Sequence, residues 1–226
     1  WDRAAEPPVR LLMPAPRQPP ARPAGPGVPP AATPAGAAIV PVERYHPVRT
    51  LELTTRMGVT VFAGVPAMFI GLLSVLERAP QSLESLRITL SGGAPLHPDI
   101  QRRWEALTGT PLRQGYGLTE ASPVCLFTTP DRPNRPGTLG CPVPGVKVTI
   151  QDGQGEILPP GEVGEICVRG ENVFPGFLDG ASTPDHPIRN GWLRTGDLGS
   201  SDEDGYIRFV GLVKPMFTRS GFNIYP

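Results

Sequence analysis

The sequence predicts an α/β fold, a mainly parallel sheet with crossover helices, followed by a smaller antiparallel subdomain resembling a β-barrel. Two observations carry this expectation. From residue 37 to residue 114, short β-branched runs alternate with segments whose apolar residues recur at helical spacing. After about Asn134 the apolar period falls to two, and Asp-Gly pairs punctuate the runs as they do in hairpins.

In chain order, residues 38–42 form the first β-branched run. Pro47 opens a helix that carries Val48, Leu51 and Met57 on one side, and Gly58 closes it. Residues 59–63 read as a buried strand, Pro66 stands at the first position of the next helix, and Met68, Phe69, Leu72, Leu73 and Leu76 make its inward stripe. Residues 86–90 are the third strand. The helix over 98–107 points Ile100, Trp104 and Leu107 inward and stops at Gly109, before a strand at 111–114. Helical crossovers imply parallel strands, and such sheets bind ligands beyond their carboxyl ends. Two glycine-containing loops leave those ends, at 91–96 and 114–120.

In the second half, residues 146–151 and 165–169 alternate as strands, with a turn at Asp152-Gly153-Gln154-Gly155. Residues 193–198 and 206–210 flank Asp204-Gly205, a further hairpin signal. The expected organisation is a Pro/Ala-rich leader over 1–36, an α/β portion over 37–136, an antiparallel β subdomain over 137–210 and a connecting segment over 211–226. The leader has almost no apolar periodicity and is expected to be disordered.

Composition narrows the function classes. The chain has 226 residues, 39% of them hydrophobic, enough for a sizeable core. Lys+Arg and Asp+Glu both total 21, so no global field attracts nucleic acid or an acidic membrane surface. Cys125, Cys141 and Cys167 are widely spread and lack zinc-ligand spacing, and no secretory signal or transmembrane span is visible, which fits a cytoplasmic protein. His46, His97 and His186 lie apart from any nucleophile motif, which argues against a Ser-His-Asp hydrolase.

The stretch Gln114-Gly115-Tyr116-Gly117-Leu118-Thr119-Glu120 places two glycines, a hydroxyl and a carboxylate together. Glycine permits close backbone approach, Thr119 can donate to a phosphate oxygen, and Glu120 can hold Mg2+ against phosphate charge. Plain turn chemistry is the alternative. Asp197 ends the aromatic and apolar run Gly191-Trp192-Leu193-Arg194-Thr195-Gly196-Asp197, where it either accepts ribose hydroxyls or caps turn amides. Asp202, Glu203 and Asp204 read as a solvated hairpin turn rather than a cation site, and Met57, Met68 and Trp104 as core.

Four motifs together resemble the AMP-dependent synthetase/ligase superfamily: Ser91-Gly92-Gly93-Ala94-Pro95-Leu96, the 114–120 stretch, the 191–197 stretch and Ser220-Gly221-Phe222-Asn223-Ile224-Tyr225-Pro226. With Gly161-Glu162-Val163-Gly164-Glu165-Ile166, the resemblance is greatest to fatty-acyl-CoA synthetases, over about residues 37–226. It implies an incomplete large domain of such a ligase. The implied chemistry is attack of a carboxylate on the α-phosphate of ATP, giving acyl-adenylate and pyrophosphate, followed by displacement of AMP by the thiol of coenzyme A.

By the same resemblance, Gly93 and Ala94 line the adenine and acyl pocket, and Gln114, Gly115 and Tyr116 the base. Thr119 contacts the α-phosphate, Glu120 the Mg2+ and Asp197 the ribose, with Thr119 and Glu120 as the catalytic pair. Lys214 matches the family's hinge, and Ser220 and Gly221 lie near coenzyme A. Departures accompany the matches. Residues 1–36 do not resemble the family's Ser/Thr/Gly-rich phosphate loop, Leu212 stands where an arginine meets the ribose, Pro215 replaces an acidic residue, and the family's C-terminal domain with its lysine is expected to lie outside these residues. The resemblance therefore implies an internal portion of an enzyme, inactive in isolation. A non-catalytic nucleotide-binding relative and a peptide-synthetase adenylation domain are the alternatives.

Overall fold

The computed structural model describes residues 9–14, 36–42, 44–177, 187–213, 217–219 and 222–224. The chain divides into two compact units, 1–113 and 114–226. The division comes earlier than the change of sequence period near residue 136 suggested, because the run that begins at Leu112 continues into the second unit.

The first unit contains β1 (Arg10–Pro14), β2 (Ala38–Val42), α1 (Pro47–Arg56), β3 (Val61–Gly64), α2 (Pro66–Leu76), β4 (Ile88–Ser91), α3 (Pro98–Thr108) and the start of β5 (Leu112–Gly117). The strand order is β2-β1-β3-β4, with β5 next after β4. The β3–β4 pair is parallel, as the helical crossovers predicted, and β1, which the sequence pattern did not predict, pairs parallel with both β2 and β3. Prolines open all three helices at a position where no backbone N–H is needed, and Gly109 ends α3 at φ 69°, in the left-handed region.

β1 corrects the expectation that residues 1–36 are disordered. Arg10–Pro14 pairs on both sides, Leu12 is fully buried, and the Arg10 N–H donates to Thr60 Oγ1 at 2.8 Å. Apolar Val9, Leu11, Leu12 and Met13 are enough for a central strand, but the surrounding prolines dominate the composition. The rest of the leader, residues 1–8 and 15–35, lies outside the described residues.

The core of this unit is built on Leu12, Phe62, Phe69, Leu72, Leu73, Leu76 and Trp104. Two helix faces differ from their apolar pattern. In α1, Val48 and the C-capping Met57 are exposed while Thr50, Leu51 and Thr54 are buried. Thr54 Oγ1 donates to the Thr50 carbonyl at 2.8 Å, which lets a hydroxyl face inward. In α3, Leu107 is exposed and Gln101 is buried, its Nε2 donating to the Leu112 carbonyl at 2.9 Å. Met57 is thus a surface residue, whereas Trp104 is core and Met68 is half-buried.

The second unit continues β5 and adds β6 (Val124–Phe127), β7 (Cys141–Pro142), β8 (Val146–Gln151), β9 (Gly164–Gly170), β10 (Ile188–Arg189), β11 (Trp192–Ser201), β12 (Ile207–Leu212), β13 (Phe217–Arg219) and β14 (Phe222–Ile224). β5, β6 and β7 pair antiparallel. A second antiparallel sheet runs β10-β11-β9-β8, with β12 on β11, and β13 pairs antiparallel with β14. A mixed α/β architecture with a following antiparallel portion is therefore present. Ala121, Leu126, Leu139, Ile150, Ile166, Val168, Leu193 and Ile207 centre the second core.

The acidic turn at 202–204 is a structural hairpin. Asp202 Oδ1 accepts the N–H groups of Asp204 and Tyr206 at 3.1 and 2.9 Å, and Arg135 pairs with Asp202 and Asp204 while lying 4.2 Å over the Tyr206 ring. Burial raises the Asp202 carboxyl, but the Tyr206 N–H and Arg135 outweigh it and hold the group below the usual carboxylate range.

Candidate functional site

The 114–120 stretch is not a free loop. β5 runs through Gly117, Leu118 stays extended, Thr119–Ala121 makes one 3-10 turn, and Ser122 adopts φ 52° before β6 returns beside β5. The antiparallel return, with its register shift between Tyr116 and Gly117, is a feature the sequence reading lacked. Gly117 has a steric reason of its own. A Cβ there would stand 1.7 Å from the Pro123 carbonyl oxygen, so the backbones of the two strands meet at this glycine.

Thr119 is exposed at the start of the turn and Glu120 is half-buried within it. The turn is tied down from outside. The Phe174 N–H donates to the Glu120 carbonyl at 2.9 Å, and Asn172 Nδ2 donates to the Ala121 carbonyl at 2.7 Å. Neither Asn172 nor Phe174 was legible as a supporting residue, since their partners lie more than a strand away in sequence. Among the described residues no group of three or more His, Cys, Asp or Glu side chains is placed to hold a metal. Glu120 as a single carboxylate suits Mg2+, which is bound through one or two carboxylates with substrate phosphates and water filling its shell.

Asp197 lies in β11 where the pairing with β9 is irregular. Its carboxylate Oδ2 accepts the Tyr116 hydroxyl at 2.5 Å, across 81 residues of sequence. Thr195 Oγ1 accepts the Asp197 N–H at 3.1 Å and donates to the Ile166 carbonyl at 2.8 Å, so it is the threonine, not the aspartate, that acts on the turn backbone. Glu165 accepts from Gly196 N and Arg194 Nε at 2.9 and 2.6 Å. Leu212 is the register partner of Asp197 across β11 and β12. Two of the residues singled out from separate motifs, Tyr116 and Asp197, are thus brought into contact.

Burial pushes the Asp197 carboxyl above its ordinary range, against the Tyr116 hydrogen bond, and the charge of Glu165 adds to the rise. Burial also lifts the Tyr116 phenol well above its usual value, helped by Asp197. The linkage has a definite sign. A carboxyl whose folded pKa is raised favours the folded state at low pH, and that contribution is lost as pH rises through the raised pKa. Asp197→Asn, which keeps an acceptor for Tyr116, should therefore raise the urea midpoint at neutral pH, and the gain should vanish in acid. A pH-independent gain would show that ionisation of Asp197 carries no cost in the fold.

Gly93 and Ala94 belong to the first unit, in the loop that leaves β4. The Gly92 N–H donates to the Gly64 carbonyl at 3.1 Å, and Gly93 has φ 78°, which a residue with a side chain rarely adopts. Ser91 Oγ is buried without a hydrogen-bond partner at the end of β4. In the second unit Gln114 is buried and Gly115 half-buried. Lys214, Ser220 and Gly221 lie outside the described residues.

Comparison with known proteins decides what kind of chain this is. A family model described as AMP-binding enzyme matches residues 29–178. The chain belongs to that family. It is 38% identical over 167 residues to a long-chain-fatty-acid–CoA ligase of Escherichia coli O6:H1, covering 74% of this chain and 30% of the relative. It is 36% identical over 199 residues to 4-coumarate–CoA ligase 5 of Oryza sativa subsp. japonica, covering 85% of this chain and 37% of the relative. The ATP-bound crystal structure of MatB from Rhodopseudomonas palustris superimposes with a TM-score of 0.73 at 34% identity, covering 85% of this chain and 38% of that one. The chain spans about a third of the length of the relatives it matches. Among its described residues no helix is long and apolar enough to cross a membrane.

Proposed function

We propose that this AMP-binding chain carries the nucleotide portion of an AMP-forming acid–thiol ligase, one that activates a carboxylic acid, of the fatty-acid class, with ATP and passes it to coenzyme A. The observation that carries the reading is the Tyr116–Asp197 contact, which joins the two motifs assigned to base and ribose. A half-buried carboxylate can accept the paired hydroxyls of a ribose, and hydrogen bonds to a charged acceptor are stronger than neutral ones. Thr119 donates to the α-phosphate, and Glu120 is the residue to hold Mg2+, which supplies charge neutralisation as the phosphate oxygens crowd. Gly93 and Ala94 line the adenine and acyl side. Lys214 serves as hinge, with Ser220 and Gly221 near coenzyme A. The buried, unpaired cysteines among the described residues suit a reducing compartment, and the reading places the protein in the cytoplasm.

The test is AMP binding to the 226-residue chain by calorimetry. Asp197→Ala should weaken AMP by at least about tenfold, the loss of one charge-assisted hydrogen bond at about 1.5–3 kcal/mol. Asp204→Ala removes only an exposed ion pair with Arg135 and should leave the affinity unchanged. Equal affinities for the two variants would remove the ribose assignment.

A further inference from the structure

We propose that Glu165 is a positioning residue, whose buried carboxylate, joined to Arg194, holds the backbone bulge that presents Asp197. The proposal rests on the ribose role given to Asp197 above and extends it to a residue outside the nucleotide contacts.

The need for such a residue follows from the strand register. Arg194 pairs with Cys167 and Leu198 pairs with Glu165, so β11 advances four positions (194 to 198) while β9 advances two (167 to 165). The surplus falls on Thr195, Gly196 and Asp197. Such a bulge takes backbone groups out of the ladder, and an unpaired buried N–H is costly. Thr195 Oγ1 supplies the acceptor for the Asp197 N–H. Glu165 Oε1 supplies the acceptor for the Gly196 N–H at 2.9 Å, and Gly196 adopts φ 78° to reach it.

The carboxylate can do this because its charge is met. Glu165 is 7% exposed, and its Oε2 accepts from Arg194 Nε at 2.6 Å, with Arg194 Nη2 as a second donor. A charge this buried is tolerated only when paired and hydrogen-bonded. Both oxygens are thereby engaged within the protein. What it sets is the course of the chain immediately before Asp197, whose Oδ2 then meets Tyr116.

A positioning role predicts an effect confined to the ribose hydroxyls. AMP and 2′,3′-dideoxy-AMP are titrated by calorimetry into the whole chain and into Glu165→Ala, Glu165→Gln and Asp197→Ala. Glu165→Ala should weaken AMP about tenfold, by analogy with the loss of an outer-shell partner that orients a metal ligand, and leave the dideoxy analogue unchanged. Glu165→Gln keeps an acceptor for Gly196 and should recover part of the loss. A parallel fall for both ligands, or no fall for either, overturns the proposal. If the unmodified chain does not distinguish the two nucleotides and Asp197→Ala changes nothing, the ribose reading fails on its own account. The positioning claim is then decided without ligand, by amide hydrogen exchange at Gly196, expected to quicken in Glu165→Ala and less so in Glu165→Gln. Unchanged exchange in both variants would overturn it.

Discussion

Gly117→Ala should destabilise the second unit by about 3 kcal/mol, at the upper end of the range for forcing an extra methyl into a packed site. The added Cβ would lie 1.7 Å from the Pro123 carbonyl oxygen, 2.7 Å from the Pro123 carbonyl carbon and 2.8 Å from Val124 Cα. All three atoms are backbone, so no side-chain rotation relieves the overlap, and β6 must move away from β5. Movement there carries the Thr119–Ala121 turn with it. Gly115→Ala is the matched control. Its Cβ would meet Phe127 Cδ2 at 3.7 Å, an ordinary contact, and the cost should stay under about 1 kcal/mol, as for a change away from any special feature. Urea unfolding followed by far-UV circular dichroism measures both, and equal midpoints would show that the two strands separate freely at Gly117.

Phe69→Ala should cost the first unit about 3–5 kcal/mol, the usual loss for truncating a fully buried aromatic. Phe69 stands between two rings, edge-on to Phe62 at 5.3 Å and to Trp104 at 5.0 Å. It thereby ties β3 and α3 to its own helix, α2, and its removal leaves both neighbours facing a cavity. Ile70, the next residue on α2, is 53% exposed, and Ile70→Ala should change stability by no more than about 0.5 kcal/mol. Tryptophan fluorescence during unfolding reports the difference, since Trp104 packs against the ring that is removed while Trp1 and Trp192 are common to both variants. A loss for Phe69→Ala as small as that for Ile70→Ala would mean the three-ring stack contributes nothing to the fold.

What the sequence made legible follows from which interactions are local. Helix starts at Pro47, Pro66 and Pro98 and the stop at Gly109 depend on backbone chemistry within one turn, and they stand where the pattern placed them. The inward face of α2 was equally plain, because Phe69, Leu72, Leu73 and Leu76 are apolar at helical spacing. Faces that bury polar groups were not. Gln101 and Thr54 are inside because each finds a carbonyl, and hydropathy carries no information about that partner. β6 escaped notice as a four-residue run whose pairing with β5 depends on a reversal through Ser122. The candidate site divides in the same way. Its motif residues were identifiable one by one, whereas the Tyr116–Asp197 contact and the hold of Glu165 on Gly196 join residues 81 and 31 positions apart. Nor was it legible that Thr195, and not Asp197, does the backbone capping that an aspartate in a turn often does.

The place of β1 has a consequence in time. It is the first strand of the described chain to be synthesised, yet it sits between β2 and β3, and its N-terminal residue Arg10 meets Thr60 across 50 residues. At ribosomal rates of roughly 5–20 residues per second, β1 waits about 2.5 to 10 seconds after emerging before β3 exists to pair with its second edge. Until then the partner of Phe62 in the register, Leu12, has at most one neighbouring strand, and an open apolar edge invites pairing with other chains. Parallel pairing also gains little until the intervening loop has closed, which makes this step slow relative to helix formation in α1 and α2. The interval during which a nascent chain is vulnerable to association is therefore set by the distance along the chain from Arg10 to Thr60, independently of how stable the finished sheet becomes.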